Sequence, residues 1–217
     1  MINLKDRTPV ANGLNQLVHE HPDNPDLLIK TLRLDKAEQR WLRKAGGLRV
    51  KRRHGIYTGW FRELNEYLAL RARMPGGHPP FLQQLHGFAE TDLGLGMVVG
   101  KVKDRSGNLA PTLGQVVFRD GMTEETRRRV QELWDWLNGN NVNTNDLSKS
   151  NILCGWDEAR GEHLVIIEGL GDHNLVPLSR FSRRLTIASN DRHFRHILRS
   201  LKRLDRHRTE QQQKQQN

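Results

Sequence analysis

Short apolar runs separated by polar turns dominate the first hundred residues. Leu17-Val18-His19 and Leu27-Leu28-Ile29-Lys30-Thr31-Leu32 flank the polar stretch His21-Pro22-Asp23-Asn24-Pro25-Asp26, which predicts a twisted hairpin over residues 15–33. Residues 35–44 suggest a short helix broken at Gly46-Gly47. A firmer helix is expected over 57–73, with Tyr57, Phe61, Leu64 and Leu68 spaced to share one face, and Met74-Pro75-Gly76-Gly77 stops it. Two further strands, 85–91 and 96–102, flank the turn Asp92-Leu93-Gly94-Leu95.

Beyond the polar loop Asp104–Asn108 the period changes. Thr123 can cap a helix whose stripe is Val130, Leu133, Trp134 and Leu137, with Glu124 and Glu125 at its positive end and Asn138-Gly139 closing it. A strand at 152–154, the turn 157–161 and a strand at 163–167 follow. The final helix, 190–208, turns Phe194, Ile197, Leu198, Leu201 and Leu204 inward and mostly arginine outward. The Gln-rich residues 209–217 have the composition of a disordered tail. The pattern predicts an α+β chain in two lobes: a strand-rich N-lobe, 1–102, and a short, mostly helical C-lobe, 103–208.

Composition narrows the class. The 217 residues are 35% hydrophobic with a mean hydropathy of −0.73, and no apolar run reaches the roughly 18 residues of a membrane span. The N-terminus has no apolar leader segment, and Cys154 is the sole cysteine, so neither a disulfide nor a cysteine zinc site is expected and the expected location is cytoplasmic. The net charge of +10 concentrates in Arg43–Arg53 and Arg180–Arg208. It suits a phosphorylated or otherwise anionic acceptor, or peripheral contact with an anionic membrane surface. Nucleic acid is compatible with the charge but not favoured, because no binding motif or interleaved aromatic series accompanies it.

The most informative stretch is Asn145-Asp146-Leu147-Ser148-Lys149-Ser150-Asn151-Ile152-Leu153. An acid, then an amide five residues later running into an apolar strand, is the D-x-x-x-x-N pattern of a protein-kinase catalytic loop. Phosphoryl transfer also needs a cation on the phosphates and a second metal ligand, and the chain offers them in kinase order. Lys30 ends an apolar strand run, and Glu63, or alternatively Glu66, lies on the next helix where the carboxylate that holds such a lysine is expected. Glu168 follows Val165-Ile166-Ile167 and precedes Gly169, 17 residues after Asn151. Gly13, before the first hairpin strand, stands where a phosphate-covering turn belongs. These spacings assign Asp146 as base, Lys30 as phosphate contact, Asn151 and Glu168 as Mg²⁺ ligands, and ATP as the nucleotide. No G-x-x-x-x-G-K-[ST] sequence is present, which excludes a P-loop.

A set of ordered stretches resembles the YrbL family of PhoP regulatory network proteins. They are His21-Pro22 through Ile29-Lys30, Arg62-Glu63-Leu64, His86–Asp92, Pro111-Thr112-Leu113, Asn151–Cys154, and Gly169-Leu170-Gly171 followed by Leu175–Leu178. They span roughly residues 5 to 205, and the resemblance implies a minimal bacterial protein-kinase-like fold. Three positions depart from the kinase pattern. Thr144 and Asn145 stand where His-Arg usually precedes the loop acid, and Glu168 replaces the metal-binding aspartate. A catalytically inactive nucleotide-binding module, or a regulatory scaffold, is the alternative to a phosphotransferase.

Overall fold

The computed structural model describes residues 1–36, 39, 54–74, 76–144, 147–171 and 183–216. The chain divides into two compact units: residues 1–61 with 83–101, and residues 62–82 with 102–217. Residues 62–82, expected in the first lobe, therefore pack with the second unit.

The first unit is built on a five-stranded antiparallel sheet. Its strands are β1 (Ala11–Asn12), β2 (Gln16–His21), β3 (Asn24–Leu32), β4 (Leu85–Thr91) and β5 (Gly94–Gly100), in the order β1-β2-β3-β5-β4. The first hairpin turn is tighter than the polar stretch suggests, because β2 runs to His21 and β3 begins at Asn24. In β3 every residue from Leu28 to Leu32 is buried, so alternation gives way to the continuous burial of a central strand. Leu4, Ile29 and Val98 form a small core. The N-terminal segment is stitched to it by Ile2 N–H donating to the Glu90 carbonyl at 2.8 Å, and by the Asp92 carboxylate accepting from Leu4 N at 2.8 Å and Lys5 N at 3.1 Å.

Helix α1 (Thr58–Arg73) begins after a short 3₁₀ turn, and the boundary between the units falls within its first turn. Its inward face differs from the expected one. Phe61 and Leu68 are exposed, while Trp60, Glu66 and Leu70 are buried. The periodicity picked out an apolar stripe, but the helix turns toward the protein the side that carries two carboxylates, for reasons the site makes clear below.

The second unit contains α2 (Leu113–Asp120), α3 (Glu124–Gly139), the hairpin β6 (Ile152–Asp157) and β7 (Gly161–Ile166), and α4 (Arg183–Gln216). Helix α2 was not anticipated, although its start is written in the chain. Thr112 accepts from Gln115 N at 3.1 Å while the Gln115 side chain accepts from Thr112 N at 2.8 Å, a reciprocal capping box. Helix α3 has the Thr123 cap and the buried stripe the sequence predicts. Leu113, Val117, Leu133, Leu137, Ile152 and Leu201 lie at the centre of the core. Helix α4 is longer than expected at both ends. Residues 209–216, expected to be a disordered tail, continue it as far as Gln216. The residues of the expected 35–44 helix beyond its first turn, the Gly46-Gly47 break and the Arg43–Arg53 cluster lie outside the described residues, apart from Gln39.

Candidate functional site

In the second unit two loop segments converge, each held by side chains from helices. Glu63 and Glu66, three residues apart on α1, share one helix face. Glu66 accepts a hydrogen bond from Asn143 N at 3.1 Å, and Glu63 accepts one from Gly169 N at 3.2 Å. Backbone N–H groups in loops have no ladder partner, so a carboxylate aimed at each supplies the missing acceptor. This accounts for the orientation of α1. Its polar side does structural work that its exposed apolar side chains cannot do.

The loop before Asp146 is also clamped by α4. Asn190 is fully buried, and its amide oxygen accepts from the Thr144 hydroxyl at 2.9 Å and from Thr144 N at 3.3 Å. Its amide nitrogen donates to the Val142 carbonyl at 2.9 Å and to Asn138 Oδ1 at 3.0 Å. Thr144 also forms a bridge with Leu170, and Gly171 N donates to the Asn143 carbonyl at 2.9 Å. Residues 143–144 and 169–171 are thus clasped to each other, with Glu63, Glu66 and Asn190 as the fasteners.

The hairpin brings Asn151 and Glu168 together. Ile152 pairs with Ile166, and the register continues one step outward, where Ile167 N donates to the Asn151 carbonyl at 3.0 Å. Glu168 follows immediately. Asn151 is itself fixed by donating from its backbone N to the Ser148 carbonyl at 3.0 Å, and Lys149 Nζ donates to Ser200 Oγ on α4 at 2.9 Å. Asn151 and Glu168 are both half-buried, at the open end of the hairpin. An amide oxygen and a carboxylate are hard donors of the kind Mg²⁺ accepts, and a cation that keeps several waters and takes phosphate oxygens does not need a larger protein set. Among the described residues no group of three or more His, Cys, Asp or Glu side chains is placed to hold a metal.

The remaining sequence candidates are Lys30 and Gly13, both in the first unit, and Asp146. Lys30 sits in the first unit on β3, opposite Val18 on β2 and Met97 on β5, and is only 7% exposed. An ammonium so withdrawn from water is costly unless charge or hydrogen bonds compensate it, which distinguishes Lys30 from a solvated surface lysine. Gly13 is in the turn between β1 and β2, with its N–H donating to the Gln16 carbonyl at 2.9 Å. Asp146 and Asn145 lie outside the described residues, as do Asp172 and the stretch Leu175–Leu178.

In the sequence Asn151, Glu168 and Glu63 stand out, Glu66 is only an alternative to Glu63, and Thr144 is only a departure from the kinase pattern, while Asn143 and Asn190 go unnoticed. A signal for Asn190 was available. Thr186, Asn190, Phe194, Ile197 and Leu201 recur at spacings of four, four, three and four, so an amide stands within an apolar stripe and must find partners. A separate cavity of about 400 Å³ in the second unit is lined by Arg119, Arg129, Cys154 and Trp156 among others. Two of its three guanidinium groups are already engaged, Arg119 with Asp120 and Arg129 with Glu125 and Glu162. Burial pushes the Cys154 thiol up to about 12, which makes it a small core residue rather than a nucleophile.

Comparison with known proteins fits the ordered stretches quoted above. Residues 2–202 match the PhoP regulatory network protein YrbL family. The chain belongs to this family. The YrbL protein of Escherichia coli (strain K12) is 26% identical over 197 residues, covering 88% of this chain and 84% of the relative. The YrbL protein of Shigella flexneri has the same identity and coverage. Among solved structures, a crystal structure of Rad53 1–466 in complex with AMP-PNP is similar to 76% of this chain and 38% of its own, with a TM-score of 0.46 and 15% identity. The chain thus spans well under half of that solved chain. No helix among the described residues of this YrbL-family chain is long and apolar enough to cross a membrane.

Proposed function

We propose that this YrbL-family chain is a minimal kinase-like, ATP- and Mg²⁺-dependent phosphotransferase. The observation that carries the reading is the hairpin end, where one backbone hydrogen bond fixes Asn151 beside the residue preceding Glu168. Asn151 and Glu168 would hold the metal, which when bound supplies charge neutralisation at the phosphates. Asp146 would accept the proton of the attacking hydroxyl, and buried Lys30 would contact the phosphates. Gly13 occupies the turn between β1 and β2, before the first long hairpin, where a covering loop belongs. The order of elements supports the same reading: hairpin, lysine-bearing strand, helix with two carboxylates, two strands, helices, loop and metal-type hairpin. The acceptor in this reading is an anionic small molecule or a protein.

A second reading, nucleotide binding without turnover, is favoured by one observation. Thr144, which stands where kinases place the arginine-linked pair, is 1% exposed and spends its hydroxyl on Asn190. Titration calorimetry with Mg·ATP and a coupled ADP-release assay separate the two readings. For phosphotransfer, the wild type binds and turns over. Asp146→Asn retains binding and loses turnover by about 10³-fold or more, and Glu168→Gln weakens Mg²⁺-dependent binding. Binding with no turnover in any variant leaves the second reading. Turnover indifferent to Asp146→Asn and Lys30→Met refutes the first.

A further inference from the structure

Helix α4 carries ten Lys and Arg against three acids, which is most of the chain's excess charge. Its apolar stripe is spent on the core, where Ile197 and Leu201 are buried and Phe194, Leu198 and Leu204 are packed against them. The opposite face is a continuous cationic strip. Arg192, Arg195, Arg199, Lys202, Arg203 and Arg206 are all exposed, with His196 and His207 among them. At 1.5 Å per residue the strip from Arg192 to Arg206 extends roughly 21 Å.

Two of the helix's three acids are spent away from this strip, and the third, Glu210, lies beyond its end at Arg206. Asp191 accepts from Trp134 Nε1 at 3.2 Å and Asn138 Nδ2 at 3.4 Å, and Asp205 accepts from Met122 N at 3.1 Å and faces Arg208. Among the described residues none of the six cations forms an ion pair. A cluster of like charge held on a rigid element costs self-repulsion, which an anionic partner relieves.

We propose that this face of α4 is a docking surface for the phosphate backbone of duplex DNA. Charge complementarity selects a polyanion, and the residue types choose among polyanions. An anionic membrane holds an amphipathic helix through a free apolar face, but the apolar side of α4 is buried and the strip itself contains no apolar residue. Leu185, two turns before Arg192, is the exposed large hydrophobic residue on this helix. A stable protein interface has an apolar, aromatic-rich centre, which the strip also lacks. Five of the six cations are arginine, whose planar fork suits phosphate. Beyond Arg208 every residue from Thr209 to Lys214 is exposed, so the end of the helix leaves room for a partner as large as a duplex. The binding is by backbone and is not sequence-specific.

The test is fluorescence anisotropy of the full chain with a labelled 20-base-pair DNA duplex across KCl concentrations. If about five phosphates are neutralised, log Kobs against log [KCl] has a slope of about −4.5, a loss of about 500-fold between 50 and 200 mM. The variant Arg192→Glu/Arg199→Glu/Arg203→Glu, all solvent-facing changes checked by circular dichroism for an unchanged fold, is expected to lose at least 100-fold. The charge-matched control Lys5→Glu/Arg7→Glu/Arg105→Glu is expected to stay within threefold of wild type. Equal loss in both variants reduces the effect to net charge and overturns the proposal, as does the absence of binding at 50 mM KCl. Sedimentation with phosphatidylglycerol vesicles, but no binding to duplex, assigns the face to a membrane and also overturns it.

Discussion

Replacing Asn190 by alanine tests the clasp that positions the loop before Asp146. The amide makes four hydrogen bonds: two to Thr144, one to Val142 and one to Asn138. Val142 is 0% and Thr144 1% exposed, so water does not replace the lost partner without entering the core. Each such bond contributes about 1 kcal/mol net, and a buried group left orphaned costs somewhat more. The expected loss for Asn190→Ala is therefore about 4 kcal/mol. For a chain of this size each kcal/mol moves the midpoint by about 2–4 °C, so Tm falls by about 8–16 °C. Thermal and urea unfolding followed by circular dichroism and tryptophan fluorescence measure it. Asn190→Asp sharpens the result. The introduced carboxylate still accepts from Thr144 but opposes the Val142 carbonyl, which together with burial raises its folded pKa. The resulting destabilisation is full above that raised value and disappears as pH falls below the unfolded carboxylate value near about 4. A loss under about 1 kcal/mol for Asn190→Ala, or no recovery of Asn190→Asp in acid, refutes the clasp.

Three further outcomes are expected. Gly171 has a φ of +88°, and a Cβ there would lie 2.9 Å from both the backbone oxygen and the Cβ of Arg62. Gly171→Ala should therefore cost about 2 kcal/mol or more and displace the segment after Glu168, readable in urea midpoints and in amide exchange at Asn143 and Gly169. The Cys154 thiol, raised from 9.0 to about 12 by burial, should react with a disulfide reagent at pH 8 about a thousandfold more slowly in the native protein than in urea; comparable rates would show it to be accessible. Burial lifts the Asp157 carboxyl, but the Arg160 side chain and backbone N–H outweigh this and hold it below its ordinary value. Its stabilisation is complete above a pH of about 4 and is lost as pH falls through the lowered folded value, so the stability gap between wild type and Asp157→Asn should close in that window and nowhere higher; the pair is partly exposed, so the gap itself stays under about 1 kcal/mol.

The elements that sequence patterning located best are those whose energetics are local. Helix α3 has its cap, its acidic first turn and its apolar stripe within sixteen residues, and each agrees with the others. The three long hairpins, β2–β3, β4–β5 and β6–β7, are legible as short apolar runs around polar turns. The 17-residue separation of Asn151 and Glu168 was legible because a tight hairpin fixes how far apart in sequence two neighbouring residues can be. Helix α2 was legible in its capping box but was too short for its periodicity to stand out. The end of α4 shows a limit of composition, since a Gln- and Lys-rich segment reads as a tail but continues as helix when a long packed helix has already supplied the nucleus.

By itself the sequence determined the α+β class, the order of most elements, the surplus of positive charge and the placing of Asn151 and Glu168 at one end of a hairpin. These follow from local propensity, hydrophobic period and chain connectivity. Only the tertiary structure decided which face of α1 turns inward and what holds the loop before Asp146. Hydrophobic period places Phe61 and Leu68 on an inner face, yet they are exposed, because Glu63 and Glu66 satisfy backbone N–H groups of Gly169 and Asn143 that lie about 80 to 106 residues away in sequence. An unpaired donor in a core costs more than an exposed leucine forfeits, and no local pattern records where the donor will be.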